Sequence, residues 1–249
     1  MIHILVEAKR IRVRLENIDR HPIMKDYHYV LKNTLLSKLE QYDRNLSTRV
    51  HDEWKSFFVF SAFMGKLWNT EVGLLFRTAE ILIASPDLEI IKGFSKAMVI
   101  DPFLYLGNVR LRVSQIKVED FHIADGISSI DYESLGEVVI KKGDKTGRTY
   151  HVSANDDVAN AIKETIVRQC KAATGYLGEI DVELVSAVQK KRAIYKDGTL
   201  INSFIALRLS FKVKAEAMVH EFLLTQGLGH HRKMGFGMLS IKKRMESTL

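Results

Sequence analysis

Apolar and charged residues alternate over residues 2–16, with Ile11, Val13 and Leu15 set against Arg10, Arg12 and Arg14. A period of two puts the sets on opposite faces of a strand. In "DYHYVLKNTLLSKLEQYD", Leu31, Leu35, Leu39 and Tyr42 recur at helical spacing and give one buried stripe. The short aromatic run "FFVFSAFMG" reads as a strand, and "EVGLLFRTAEILIAS" as another. Pro86 and Asp87 open a helix through about Val99. A long strand over 103–118 completes the order βαββαβ.

The order then repeats. After the turn-rich "ADGISSID", strands over 136–142 and 148–153 flank "KKGDKTGR". Asn155 or Asp156 caps a helix to about Ala173, with Val158, Ile162, Ile166 and Cys170 on one stripe. Strands over 179–189 and 199–213, a helix over 215–226 and a strand over 236–242 follow. The pattern predicts an α+β chain of tandem ferredoxin-like (βαββαβ) domains of RRM-like type, divided into 1–125 and 126–249.

Composition narrows the class. A hydrophobic content of 46% with three prolines in 249 residues describes a folded protein, not a disordered one. No apolar run approaches the ~20 residues that span a bilayer, and charge follows the N-terminus too soon for a signal peptide. The single Cys170 leaves no intrachain disulfide and no multi-cysteine metal site. These features lead to an expectation of a cytoplasmic protein with no membrane partner. The net charge of +7 favours a polyanion. Its distribution adds detail: Lys190, Lys191, Arg192 and Lys196 fall between two predicted strands, as a basic hairpin tip.

The stretch "QGLGHHRKMGFGML" places Gly227, Gly229, Gly235 and Gly237 around His230, His231, Arg232 and Lys233. It is no Walker loop, because Gly229 to Gly235 is one residue too long and Phe236 follows. It is no dinucleotide fingerprint either, lacking a glycine at Arg232 and a helix from there. Tight turns at positive φ, or an approach to phosphate by backbone N–H groups, remain.

A G-h-G-x-x-x-x-x-G-h-G motif between the last helix and last strand of tandem ferredoxin-like domains resembles the CRISPR-associated endoribonucleases of the RAMP superfamily, which process precursor CRISPR RNA. The segment "HYVLKNTLLSKLEQYDRNLSTRVHDEWKSFFVFSAFMGK" looks like that family's first helix, histidine-bearing segment and next strand. The resemblance covers essentially the whole chain. It implies a metal-independent cleavage without cofactor: the ribose 2′-hydroxyl attacks the adjacent phosphate, leaving 2′,3′-cyclic phosphate and 5′-hydroxyl ends. CRISPR repeat RNA is the implied partner. A CRISPR effector complex and a second copy of the chain are further partners left open, and a non-catalytic RNA-binding subunit is the rival function.

Such chemistry needs a group that exchanges protons near neutrality and a cation for the phosphorane. His51, in "RVHDEW", occupies the family's histidine position, with His28 on the first helix as second candidate. Lys55 lies close to the family's lysine position, whereas Leu36 stands where many members have tyrosine. Tyr27, Tyr29 and Tyr42 are the substitutes at hand. The same resemblance gives the glycine stretch, with His230, His231, Arg232 and Lys233, and the basic run 190–196 to RNA binding. No H-x-x-x-H pair or acidic cluster points to a metal.

Overall fold

The computed structural model describes residues 7–52, 58–143, 148–196 and 199–242. Lys55 therefore lies outside the described residues, as do Lys243 and Arg244.

The first half comprises β1 (Glu7–Asn17), β2 (Ile23–Met24), α1 (His28–Tyr42), α2 (Arg44–Asp52), β3 (Val59–Phe60), β4 (Trp68–Asn69), β5 (Gly73–Leu75), β6 (Thr78–Ala84), α3 (Leu88–Ile100), β7 (Phe103–Leu106) and β8 (Val109–His122). Its main sheet has the order β3-β6-β1-β8-β7, and β2, β5 and β4 form a small one. Ile11, Val13 and Leu15 are fully buried beneath α1 and α3 with Leu31, Leu35 and Phe94. The opposite face carries Arg10 and Arg12, but it is not a solvent face. Arg10 is 4% exposed, lies over the Phe121 ring at 4.1 Å, and donates to Glu119 at 2.8 Å and to the Leu239 carbonyl at 3.2 Å. The second half of the chain covers that face.

The second half comprises β9 (Ile127–Ser134), β10 (Lys141–Gly143), β11 (Thr149–His151), α4 (Val158–Thr174), β12 (Asp181–Lys196), β13 (Thr199–Glu216), α5 (Ala217–Gln226), a 3₁₀ turn (Arg232–Met234) and β14 (Leu239–Ile241). The sheet order is β12-β13-β9-β14, with β10 and β11 as a separate hairpin. Both sheets are antiparallel, and with α1–α2 and α3 on the first and α4 and α5 on the second each half follows the βαββαβ order, a tandem ferredoxin-like architecture.

Several boundaries depart from the sequence pattern. The expected strand over 103–118 is a hairpin, because Gly107 takes a φ of 62° and turns β7 onto β8. The "EVGLLFRTAEILIAS" strand is two strands in two sheets. Only Val59 and Phe60 of "FFVFSAFMG" are strand, though Ser61 N–H still bonds to the Leu82 carbonyl at 2.9 Å. The second sheet begins at Ile127, inside the stretch read as turns, not at 136. The one buried side chain of β9, Tyr132, is satisfied by His220 Nδ1 at 2.8 Å, so a polar pair does what an apolar repeat usually does. Asp157 caps α4 by accepting from Asn160 N–H, whereas Asp156 closes the preceding turn on Ser153. The last strand is three residues, since 236–238 belong to the loop before it.

Candidate functional site

The site region is where the glycine loop of the second half meets the helices of the first. Asp43 ends α1, and its carboxylate accepts from Asn45 N–H at 2.9 Å and Leu46 N–H at 3.2 Å, starting α2 at once. Leu46 and Val50 bury one side of α2. Gly93 of α3 makes room there: a Cβ on it would lie 2.8 Å from Leu39 and 2.9 Å from Leu46. An Arg49–Asp87 ion pair ties α2 to the cap of α3. His51 is the next-to-last residue of α2.

All four glycines of the loop have positive φ: 68° at Gly227, 88° at Gly229, 80° at Gly235 and 85° at Gly237. What approaches them closely is protein. A Cβ on Gly237 would fall 2.1 Å from the Leu228 carbonyl, and one on Gly229 would fall 2.4 Å from that of Val139. On Gly235 it would meet the Phe60 ring at 2.4 Å. The two strands of the loop bond to each other through Leu228 N–H to the Gly237 carbonyl at 2.9 Å. Gln169 of α4 clasps Gly229 both ways, donating to its carbonyl at 2.7 Å and accepting from its N–H at 3.1 Å. The glycines therefore have a packing reason of their own, beside the expected approach of backbone to RNA phosphates.

The loop cations also turn inward. Arg232 donates to the Gln226 carbonyl at 3.2 Å and lies over Phe222 at 5.8 Å, and burial lowers its pKa to about 10. Lys233 Nζ donates to the Val50 carbonyl at 2.9 Å, one residue before His51, which puts a cation at the carbonyl end of α2 where the helix dipole favours it.

The histidines are held neutral. His28 is stacked between Tyr27 at 4.5 Å and Phe236 at 4.6 Å, and burial lowers its pKa to about 4. That is a joint between the halves, with its Nδ1 out of solvent and unpartnered among the described residues. His230 N–H bonds to the Val139 carbonyl at 2.7 Å; burial, with Lys141 and Arg168 adding to it, lowers its side-chain pKa to about 4. His231, at a left-handed φ of 58°, stacks on Phe204 at 5.0 Å, and burial lowers its pKa too.

The basic run is not a hairpin tip. Lys190, Lys191, Arg192 and Lys196 all belong to β12, which runs on to Lys196. Lys190 and Lys191 are exposed. Arg192 reaches Glu137 at 2.5 Å, and Arg208 stands 3.6 Å from the same carboxylate. Glu137 is 3% exposed and its own carbonyl accepts from Gly237 N–H at 2.9 Å. Glu137, which holds the loop through its backbone carbonyl, and Gln169, which holds it through its side chain, carry no motif by which sequence could single them out. Of the tyrosines, Tyr27 is buried and its hydroxyl accepts from Phe63 N–H at 3.2 Å; Tyr29 packs against Phe236 and its neighbours. Leu36 is core. No group of three or more His, Cys, Asp or Glu among the described residues is placed to hold a metal ion, and no described helix is long and apolar enough to cross a membrane.

Known structures share this arrangement of two ferredoxin-like units with a glycine loop seated between them. A Cas6-related protein from Pyrococcus furiosus superimposes with a TM-score of 0.78 over 95% of this chain and 99% of its own, at 19% identity. A RAMP protein described as binding different RNA substrates gives 0.77 over 94% and 100%, at 16% identity. A CRISPR-associated protein Cas6 gives 0.75 over 95% and 100%, at 21%. At these identities the likeness is one of fold. No curated protein matches the sequence. Residues 129–241 match the family model of the CRISPR-associated protein Cas6, C-terminal.

Proposed function

We propose that the protein is an endoribonuclease that cuts precursor CRISPR RNA within its repeats by metal-independent transesterification. The observation that carries this reading is the docking of the glycine loop on the end of α2, with Lys233 on the Val50 carbonyl beside His51. His51 exchanges the protons of the attacking 2′-hydroxyl and the leaving 5′-oxygen, and Lys55 offsets charge on the phosphorane. Exposed Lys190 and Lys191, with Lys196 further along β12, hold the RNA backbone. In this reading the units are residues 1–125, bearing His51, and 126–249, bearing the loop; the site works in the cytoplasm. Incubation with repeat RNA in EDTA should give 2′,3′-cyclic phosphate and 5′-hydroxyl ends, and a 2′-deoxy substitution at the cut should abolish cleavage. Strict dependence on magnesium, or cutting of the deoxy substrate, would overturn it.

One observation favours a second reading, a non-catalytic repeat-RNA-binding subunit of an effector complex. Leu36, at the position of the family's tyrosine, is buried among the helices and offers no hydroxyl. Tight binding of repeat RNA without any cleavage would select that reading.

A further inference from the structure

β12 is the edge strand of the second sheet: β13 flanks it on one side and no described strand flanks it on the other. It is also apolar at its middle, with Val185 57% and Val188 51% exposed. A long exposed edge invites pairing with another strand. Its sequence says which. From Asp181 the strand reads "DVELVSAVQKKR", acidic at its start and basic at its end. Laid antiparallel on a copy of itself, it sets acid against base in both directions.

The register makes this match geometric as well as compositional. Glu183 lies opposite Lys212 of β13, Ser186 opposite Ser210 and Lys190 opposite Ala206, with an irregularity between Leu184 and Ser186 that adds one residue to β12. Opposite residues share a face. Without the extra residue Glu183 and Lys190, seven apart, would point to opposite faces; with it they share one. Take a two-fold axis through Ala187. Leu184 then faces Gln189 of the copy, and Glu183 faces Lys190, while Val185 and Ser186 together face Val188. Asp181 faces Arg192. Every pair in this register keeps to one face, because both strands carry the same bulge. Glu183 is free to take part, its side chain 70% exposed beyond its 3.3 Å contact with Lys212. Bulges and edge lysines ordinarily discourage pairing, and here they narrow the choice to a strand with a matching bulge and carboxylates at the matching positions.

We propose that two copies of this chain associate through β12, which joins their second sheets into one continuous eight-stranded sheet about a two-fold axis at Ala187. The interface is isologous, so each residue acts twice. It is one strand wide, which places it among weak, reversible associations.

The test is sedimentation equilibrium with light scattering, over loadings from about 1 to 200 µM to span a micromolar dissociation constant, with a melting curve on each variant. The wild-type chain should dimerise reversibly. Glu183→Lys or Lys190→Glu puts like charges opposite one another at two places and should weaken association at least about tenfold. The double reversal should restore it to within roughly threefold of wild type, since the pairs reform with signs exchanged. Amide exchange over 183–191 should slow as loading rises. Neutralising variants, Glu183→Gln and Lys190→Gln, should weaken association less and serve if a reversal melts early. A wild-type chain monomeric throughout overturns the proposal. So does a dimer indifferent to the single reversals, or one that the double reversal does not restore.

Discussion

Two glycines with nearly equal backbone angles separate conformation from contact at the scale of a residue. Gly126 has a φ of 91° and nothing within 4 Å of its ideal Cβ, whereas Gly237 has 85° and meets a carbonyl at 2.1 Å. Gly126→Ala should cost the left-handed penalty alone, about 1–2 kcal/mol, or a few degrees in melting temperature. Gly237→Ala should lower it more than twice as far, or leave no folded protein. Equal shifts would mean that the loop tolerates opening. The buried histidines make a second expectation. His28 and His230 have folded pKa values near 4, below the ordinary 6.5. The unfolded chain therefore binds more protons across that window, and stability, full above pH 6.5, is lost as pH falls toward 4. Melting followed from pH 7 to 4 should show this loss, and His28→Phe, which keeps a ring between Tyr27 and Phe236, should make the slope shallower.

At the scale of elements, α2 is held from three sides: Asp43 at its start, Asp87 through Arg49, and Lys233 at its end. If the last contact positions His51, Lys233→Ala should lower the single-turnover rate about tenfold at saturating RNA. The melting temperature and the salt dependence of binding should barely move, because a helix-end cation is worth only about 0.3–1 kcal/mol. A reduced salt slope with an unchanged rate would instead make Lys233 a phosphate contact. His51→Ala should cost roughly 10²–10⁴-fold, the range for a lost acid or base. Elements with apolar periodicity were legible in sequence: the buried faces of β1, α1 and α4, and the start of α3 at Asp87. Elements held by other means were not. β9 is anchored by the Tyr132–His220 hydrogen bond, and the β7–β8 turn rests on a single glycine within an apolar run. The candidate site was legible as residue types, not as directions. Nothing in "HHRK" says that Arg232 turns back on the Gln226 carbonyl, and the partners of Lys233 and Arg192, Val50 and Glu137, stand far away in the chain.

At the scale of the whole molecule, the halves share polar as well as apolar contacts. Val59, Leu82 and Ala84 pack on Met238, beside Arg10 on Glu119 and the Leu239 carbonyl. Breaking a buried ion pair costs about 3–5 kcal/mol. Arg10→Ala should fall at the lower end, because Glu119 keeps Arg12 at 2.7 Å. Urea unfolding should remain one transition, shifted as a unit with its slope unchanged; two separated transitions would mean that the halves unfold independently. The same interface has a cost during synthesis. Arg10 and the Leu239 carbonyl are 229 residues apart, and ribosomes add about 5–20 residues per second. The arginine face of the first sheet must therefore wait roughly 10–50 s for its cover, with Leu82 and Val59 open to any passing chain. Surface left open for that long during synthesis is exposed to pairing with neighbouring chains on a polysome.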